Sequence, residues 1–595
     1  MDAPTADRIW RRTLEGVAVA LADPHAIMPN ALDALARAHG ARAAILSHDA
    51  RRDFAALAAR VNAIAHWGLA RGLKPGERIA LVSAAGPDMA LAWLGLTKIG
   101  AVVALVPPDL AGAPLAHALA ASGALWALAD GARRDGVRVA KPEGMRPLAA
   151  SFEAFVAECS LGPRTPPDLA PEHRPRLADP ALLVYTSGTT GMPKAAIVSH
   201  ARIVRTAHWF AGLAQMTTED RLYNCLPLHH SVGGIGALFA PLVKGGSVVV
   251  AGGFSKRRFW RDVADFDCTM IQYIGDLCRI LLKDDAPTPA HRLRLAVGNG
   301  LGADIWAEFQ RRFAIPAILE FYASTEGNFA LANVEGRIGK IGRAPKTHGA
   351  PAIVLVRHDA DADAPLRGPD GLCVACKADE PGEALGRIAR DSAAAIEGYT
   401  DAAASAKKIV RDVVEKGDAF WRSGDLLARD GDGFYAFVDR IGDTFRWRGE
   451  NVATMEVEAA LRAAPGVQDC VAYGVAVPHA DGKAGMAAVT PKGPLDLAAL
   501  LAAADTLPRH ARPLFLRVVG AVEATSTFKP KRAALAAEGF DPARVKDALY
   551  VYDAASGGYV TLDGARHHAI AHGEIGVGWG RAETPSPVLR ENSRA

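Results

Sequence analysis

A chain of 595 residues exceeds what one hydrophobic core can organise, so two or more domains are expected. Half of the residues are hydrophobic, 22% are charged and the net charge is +3, which excludes a broad basic footprint for nucleic acid. No apolar run approaches the roughly 20 residues of a membrane-spanning helix, and the charged N-terminus, with Asp2, Asp7, Arg8, Arg11, Arg12 and Glu15, does not read as a signal peptide.

In chain order, Phe54, Leu57, Val61 and Ile64 recur at helical spacing and give that segment one apolar face. Gly72 stops it, Lys74-Pro75-Gly76 makes a turn, and Ile79 to Val82 reads as a buried strand. A helix through Met89 to Leu96 and a strand from Ala101 to Val106 follow. Strands alternating with helices indicate parallel sheets covered on both faces, an α/β architecture. The proline-rich stretch from Gly162 to Pro180 is a connector. Leu182 to Tyr185 then reads as a strand, as do Ser247 to Ala251, Leu293 to Val297 and Pro351 to Val356.

Near residue 440 the pattern changes. A turn at Gly431 to Gly433 precedes the strand Phe434 to Val438. Downstream come a helix at Met455 to Ala463, a strand at Val467 to Val475 and a helix at Leu497 to Leu501. The expectation is a large N-terminal domain of layered α/β subdomains, residues 1–439, and a small mobile α+β domain, residues 440–595, whose tail after Gly580 is loose. Of the seven cysteines only Cys373 and Cys376 are close, and without a second such pair they read as a turn instead of a zinc site. The cysteine usage fits a reducing cytosol, so a cytoplasmic location is expected, with peripheral membrane contact left open because it needs only a surface patch. An interface symmetry leaves no motif, so no oligomeric state is assigned.

The densest chemistry lies at Tyr185-Thr186-Ser187-Gly188-Thr189-Thr190-Gly191-Met192-Pro193-Lys194. Glycines let a backbone approach an anion, successive N–H groups form an anion nest, four hydroxyls add donors, and Lys194 adds positive charge. The spacing is not that of a Walker A loop. On its residues alone this is a nucleotide or phosphate site.

The loop resembles the signature of the adenylate-forming (AMP-binding) enzymes, and other segments are similar to that family's motifs in the family's order. Leu226 to Gly234 resembles the stretch lining the acyl pocket, which implies that His230 gates the carboxylate and that Gly233 and Gly234 leave room for a chain; His229 receives no role. Gly298-Asn299-Gly300 resembles the loop closing over adenine. Glu320 to Asn328 resembles the adenine and magnesium motif: Tyr322 would stack on adenine, Thr325 would contact the α-phosphate, and Glu326 would hold Mg²⁺ with Thr186. Trp421 to Asp425 resembles the ribose motif, with Asp425 accepting from the vicinal hydroxyls and Arg440 helping.

Asp439-Arg440-Ile441-Gly442-Asp443 resembles the hinge, with Gly442 where many members carry Asp or Lys. Arg448-Gly449-Glu450 matches the loop that meets coenzyme A. Thr525 to Lys529 resembles the segment with the catalytic lysine. The basic residues Lys529, Lys531 and Arg532 lie together, so only the motif selects Lys529, and the other two read as a solvated basic face. Within the family, Asp439 to Val452 and Phe266 to Arg279 look like the fatty acid transport protein, or very-long-chain acyl-CoA synthetase, branch. The resemblance implies ATP, Mg²⁺ and coenzyme A and a fatty acid substrate; the near-neutral charge already speaks against a nucleic acid partner. Two other readings stay open: a fatty-acid carrier whose catalysis is subordinate, and a ligase for another bulky carboxylate.

Overall fold

A computed structural model describes residues 3–84, 86–187, 192–284, 286–344, 353–359, 362–388, 396–448, 450–480, 482–523 and 531–579. The Thr525–Lys529 segment, Gly188 to Gly191, Gly449 and the tail from 580 lie outside these residues. The chain divides into two compact units. The first holds Met1–Val354, Leu385–Ser423 and Asp432–Tyr435; the second holds Leu355–Ala384, Gly424–Gly431 and residues from Ala436 onward.

In the first unit the helix Phe54–Ala70 starts where the Asp53 carboxylate accepts from Ala56 N–H at 2.7 Å, an N-cap. It packs on the helix Pro87–Lys98, whose first position is proline. These helices cover a six-stranded sheet ordered Arg146–Pro147, Trp126–Ala129, Arg78–Val82, Val102–Leu105, Pro180–Ser187, Pro193–Ser199. All its pairings are parallel except the last, a hairpin, and its inner strands Arg78–Val82 and Val102–Leu105 are almost wholly buried because both faces are covered.

An eight-stranded sheet completes the unit, ordered Ala330–Asn333, Ile318–Ala323, Leu295–Asn299, Met270–Ile274, Arg221–Asn224, Ser247–Val250, Ala43–Leu46, Arg51–Asp53. Its six inner strands are parallel and one antiparallel strand closes each edge. The strand expected at Leu293 to Val297 thus runs two residues later, which puts Gly298 and Asn299 in its last positions rather than in a loop. The N-terminal segment is the helix Ala3–Ala20, with Ile9, Trp10 and Val17 buried and its length packed on the helix His200–Leu213. Among the described residues no helix is long and apolar enough to cross a membrane.

The second unit contains a five-stranded sheet ordered Val467–Ala476, Lys483–Pro491, Phe515–Val518, Ala548–Asp553, Gly558–Thr561, antiparallel except between its second and third strands. The helices Thr454–Arg462, Leu497–Asp505 and Gly564–Ala571 accompany it, the last two capped by Asp496 and Asp563. Arg532 is not on a solvated face. Its guanidinium bridges Asp443 at 3.0 Å and the buried Glu458 at 2.7 Å. Lys531, by contrast, is half exposed and pairs with Glu523 at 3.1 Å. All seven cysteines are free.

Candidate active site

In the eight-stranded sheet three family-like segments leave the carboxyl ends of parallel strands: the stretch to Gly234 follows Arg221–Asn224, Gly300 follows Leu295–Asn299, and Ser324 to Gly327 follows Ile318–Ala323. This edge is where open α/β sheets bind ligands. The phosphate loop leaves the carboxyl end of Pro180–Ser187 in the other sheet and returns along Pro193–Ser199.

The hairpin register sets Thr186 opposite Lys194. Tyr185, one residue earlier, faces the opposite way. It is buried, and its hydroxyl donates to the carbonyl of Ala118 at 2.6 Å, while burial pushes its ionisation upward. Tyr185 was expected among the nucleotide groups; strand alternation makes it a strut beneath the loop, with no free donor for a phosphate.

Tyr399 links the loop to the metal motif. Ile197 N–H donates to the Gly398 carbonyl and Thr400 N–H to that of Ala195, each at 2.9 Å, so this segment lies along the hairpin. The Tyr399 phenol donates to Glu326 Oε1 at 2.9 Å, with Thr186 close by, and Lys194 Nζ lies 5.8 Å from its ring centroid. Burial and the Glu326 charge together push the phenol's ionisation upward.

Around the turn, Ser231 and Thr325 share a hydroxyl–hydroxyl bond at 3.0 Å. Arg202 donates to the carbonyls of Thr325 at 2.7 Å and Gly327 at 2.9 Å, and is held by Glu397 at 3.0 Å. Phosphate loop, acyl motif and metal motif therefore converge through Thr186, Lys194, Tyr399, Ser231, Thr325 and Glu326. Arg202, Glu397 and Tyr399 belong to no motif, and nothing in their local sequence distinguishes them.

The adenine loop is moored from below. Gly300 has φ +80° and its N–H, with that of Leu301, donates to Glu320 Oε1; Tyr273 donates to Oε2 at 2.5 Å. Glu320 is 2% exposed, and this burial pushes its carboxyl up to about 8. A β-carbon on Gly275 would lie 1.7 Å from the Gly300 carbonyl, so the two loops touch backbone to backbone. Asn299 Oδ1 is buried without a hydrogen-bond partner among the described residues. Tyr322 is buried on its strand with its ring near-parallel to Phe329, centroids 5.6 Å apart.

The acyl motif forms a wide i→i+5 turn over Val232–Gly236, a helix form common at functional sites. Here the glycines have a different cause from the one expected. A β-carbon at Gly233 would lie 2.5 Å from the Pro227 carbonyl and one at Gly234 would lie 2.0 Å from that of Leu228. They make room for the protein's own backbone. His230 is half-buried at the turn's start, its ring 4.3 Å from that of His229. Burial holds the His229 imidazolium down to about 4, so that ring is neutral at pH 7.

In the second unit Asp425 and Arg440 stand together, Nε to Oδ1 at 3.8 Å, with Ile441 N–H donating to Gly424 at 3.0 Å. The hinge-like Asp439 is buried, accepts from Thr454 N–H and Oγ1 at the start of the helix Thr454–Arg462, and is pushed up to about 6 by burial. Gly442 lies in the turn that follows. Arg448 follows the strand Phe445–Trp447, which pairs with Glu450–Val452. Lys529, Gly188, Thr189, Thr190 and Gly191 lie outside the described residues, and nothing is placed for the side chain of Ser187.

Residues 32–382 match the family model described as AMP-binding enzyme, and residues 456–529 match the AMP-binding enzyme C-terminal domain. Long-chain fatty acid transport protein 1 of Mus musculus is 41% identical over 547 residues, covering 88% of this chain and 84% of that one. A medium/long-chain fatty acid–CoA ligase of Mycobacterium tuberculosis is 37% identical over 504 residues, covering 82% of each. In fold, the chain is similar to ATP-bound MatB from Rhodopseudomonas palustris, with TM-score 0.73, 20% identity and coverage of 86% of this chain and 98% of that one. It is likewise similar to a benzoate CoA ligase from Burkholderia xenovorans, with TM-score 0.71, 21% identity and coverage of 86% and 99%.

Proposed function

We propose, from the premise that the chain belongs to the AMP-binding enzyme family, that it is an AMP-forming CoA ligase which activates a long-chain fatty acid with ATP and passes the acyl group to coenzyme A. The observation that carries this reading is the convergence, within one unit, of the Thr186 hydroxyl, the Lys194 ammonium and the Glu326 carboxylate around Tyr399. These are the groups a triphosphate with its counter-ion requires.

In the first half-reaction a carboxylate oxygen of the fatty acid forms a bond to the α-phosphorus and the bond to pyrophosphate breaks. Both reactants are anionic, so positioning and charge stabilisation carry the catalysis. Lys194 and the loop donors would neutralise phosphate oxygens. Thr325, fixed by Ser231 and by Arg202 beneath it, would donate to the α-phosphate. The unpaired Asn299 Oδ1 suits an exocyclic amine such as adenine's, and Glu320 holds the loop that presents it. Asp425 would accept from the ribose hydroxyls, with Arg440 beside it. Lys529 takes its role from the resemblance alone.

One carboxylate, Glu326, and one hydroxyl, Thr186, are available for Mg²⁺. That ion ordinarily takes one or two protein carboxylates and completes its octahedron with substrate phosphates and water, so the donor set fits. When bound it would supply charge neutralisation across the phosphates. In the second half-reaction the thiol sulfur of coenzyme A forms a bond to the acyl carbon and AMP leaves; the Arg448–Glu450 turn would meet the coenzyme, and His230 would stand at the carboxylate end of the acyl site.

A long acyl chain is supported by the similarity to long-chain fatty acid proteins at 41% and 37% identity. Thioester formation measured across acids of graded chain length tests it. Highest kcat/KM with long acyl chains is expected, and a preference for benzoate- or malonate-sized acids would refute it.

A further inference from the structure

The strands Phe445–Trp447 and Glu450–Val452 form a hairpin in which Trp447 pairs with Glu450, and Arg448 follows directly on Trp447. Arg448 has φ +50°, an unfavourable conformation for a long side chain. It must be held there, and the holding contacts come from the far end of the chain.

Arg448 Nη2 donates to the carbonyl of Val577 at 2.7 Å. The guanidinium lies over Gly578: a β-carbon at that position would be 3.1 Å from Nη2, 3.3 Å from Nη1 and 3.4 Å from Cζ. Its other neighbour is the Trp447 ring, 5.3 Å from Cζ to the centroid. Gly578 cannot swing away, because both flanking residues are anchored. Val577 is buried in the second unit's core. Trp579 stacks on Tyr552 at 3.7 Å and 20°, and its Nε1 donates to the carbonyl of Arg512 at 3.0 Å. The three residues before this anchor, Glu574 to Gly576, are exposed.

We propose that Val577–Trp579 is a positioning element for the coenzyme A half-reaction, clamping Arg448 in its left-handed conformation at the end of the strand Phe445–Trp447. The proposal rests on the reading of the Arg448–Glu450 turn as the coenzyme A contact. The clamp acts through Arg448 and, among the described residues, touches none of the groups assigned to adenylation, so it bears on one half-reaction only.

The test uses full-length Gly578→Val, Trp579→Ala and Arg448→Ala, with Gly576→Val as control because a β-carbon there meets nothing within 4 Å. Two quantities are measured: fatty-acid-dependent pyrophosphate release without coenzyme A, and the KM for coenzyme A in thioester formation. Gly578→Val and Trp579→Ala are expected to raise the KM for coenzyme A about tenfold, with pyrophosphate release held within about twofold and Gly576→Val unchanged in both. Gly578→Ala, the smaller change, moves the same KM in the same direction, which guards against a Val variant that does not fold. An unchanged KM in the clamp variants while Arg448→Ala raises it overturns the clamp and leaves the turn's role standing. An unchanged KM in Arg448→Ala overturns the reading of the turn itself. Equal loss of both half-reactions in the clamp variants reduces the segment to a general stabiliser and also overturns the proposal.

Discussion

The phenol of Tyr399 donates to Glu326 Oε1 at 2.9 Å, joining a residue outside every recognisable motif to the proposed magnesium ligand. A carboxylate that accepts one fixed donor keeps its second oxygen aimed in one direction, the condition for binding an ion of strict geometry.

Tyr399→Phe removes that donor and little else. A hydrogen bond to a charged group contributes about 1.5–3 kcal/mol, so the variant should lose about tenfold or more in kcat/KM for pyrophosphate release. The Mg²⁺ concentration giving half-maximal rate should rise with it. Magnesium titrations of both proteins check this, and identical curves would separate Tyr399 from the metal.

Glu320 supplies a pH prediction. Its carboxyl is raised from 4.5 to about 8 by burial, so the folded chain holds a proton there that the unfolded chain has lost. The stability this contributes is present in full below about 4.5 and is lost as pH rises through about 8. Glu320→Gln keeps a neutral acceptor for the Gly300 and Leu301 N–H groups and has no proton to lose. Its melting temperature should fall less than that of the parent between pH 7 and 9. Parallel curves would remove Glu320 as the titrating group.

Gly234→Ala distinguishes backbone packing from acyl space. The added carbon would lie 2.0 Å from the Leu228 carbonyl, so the turn must shift. Overpacking of this kind costs about 1–3 kcal/mol. The urea midpoint should fall while the order of preference among fatty acids is retained. A full-strength midpoint with a shortened chain preference would give that space to the substrate instead.

Asp425→Ala should raise the KM for ATP about tenfold or more and leave that for the fatty acid within about twofold, because a ribose contact is made in substrate binding. Steady-state kinetics with each substrate varied in turn decide it, and an unaltered ATP dependence would refute the ribose role.

What could be read from the sequence followed from local rules. Alternating strands and helices in the first two hundred residues gave the parallel sheet, and the Gly/Thr-rich loop after an apolar strand gave a phosphate site. The failures share a cause. Tyr185 was grouped with the loop by its position in a motif, yet strand alternation turns it into the core toward Ala118. Gly233 and Gly234 read as space for a ligand because a sequence does not say which atoms approach a missing β-carbon. Arg532 read as solvated because its partners, Asp443 and Glu458, are distant in sequence. Arg202 and Tyr399 act over 123 and 73 residues, through contacts only the folded chain creates.

In the proposed reaction an acyl-adenylate forms first. Incubating the protein with ATP, Mg²⁺ and a long-chain fatty acid, without coenzyme A, and analysing the quenched products by mass spectrometry tests it most directly. Acyl-AMP and pyrophosphate are expected in equal amounts, converted to acyl-CoA and AMP when coenzyme A is added. Formation of ADP and phosphate, or of acyl-CoA with no adenylate preceding it, would contradict it.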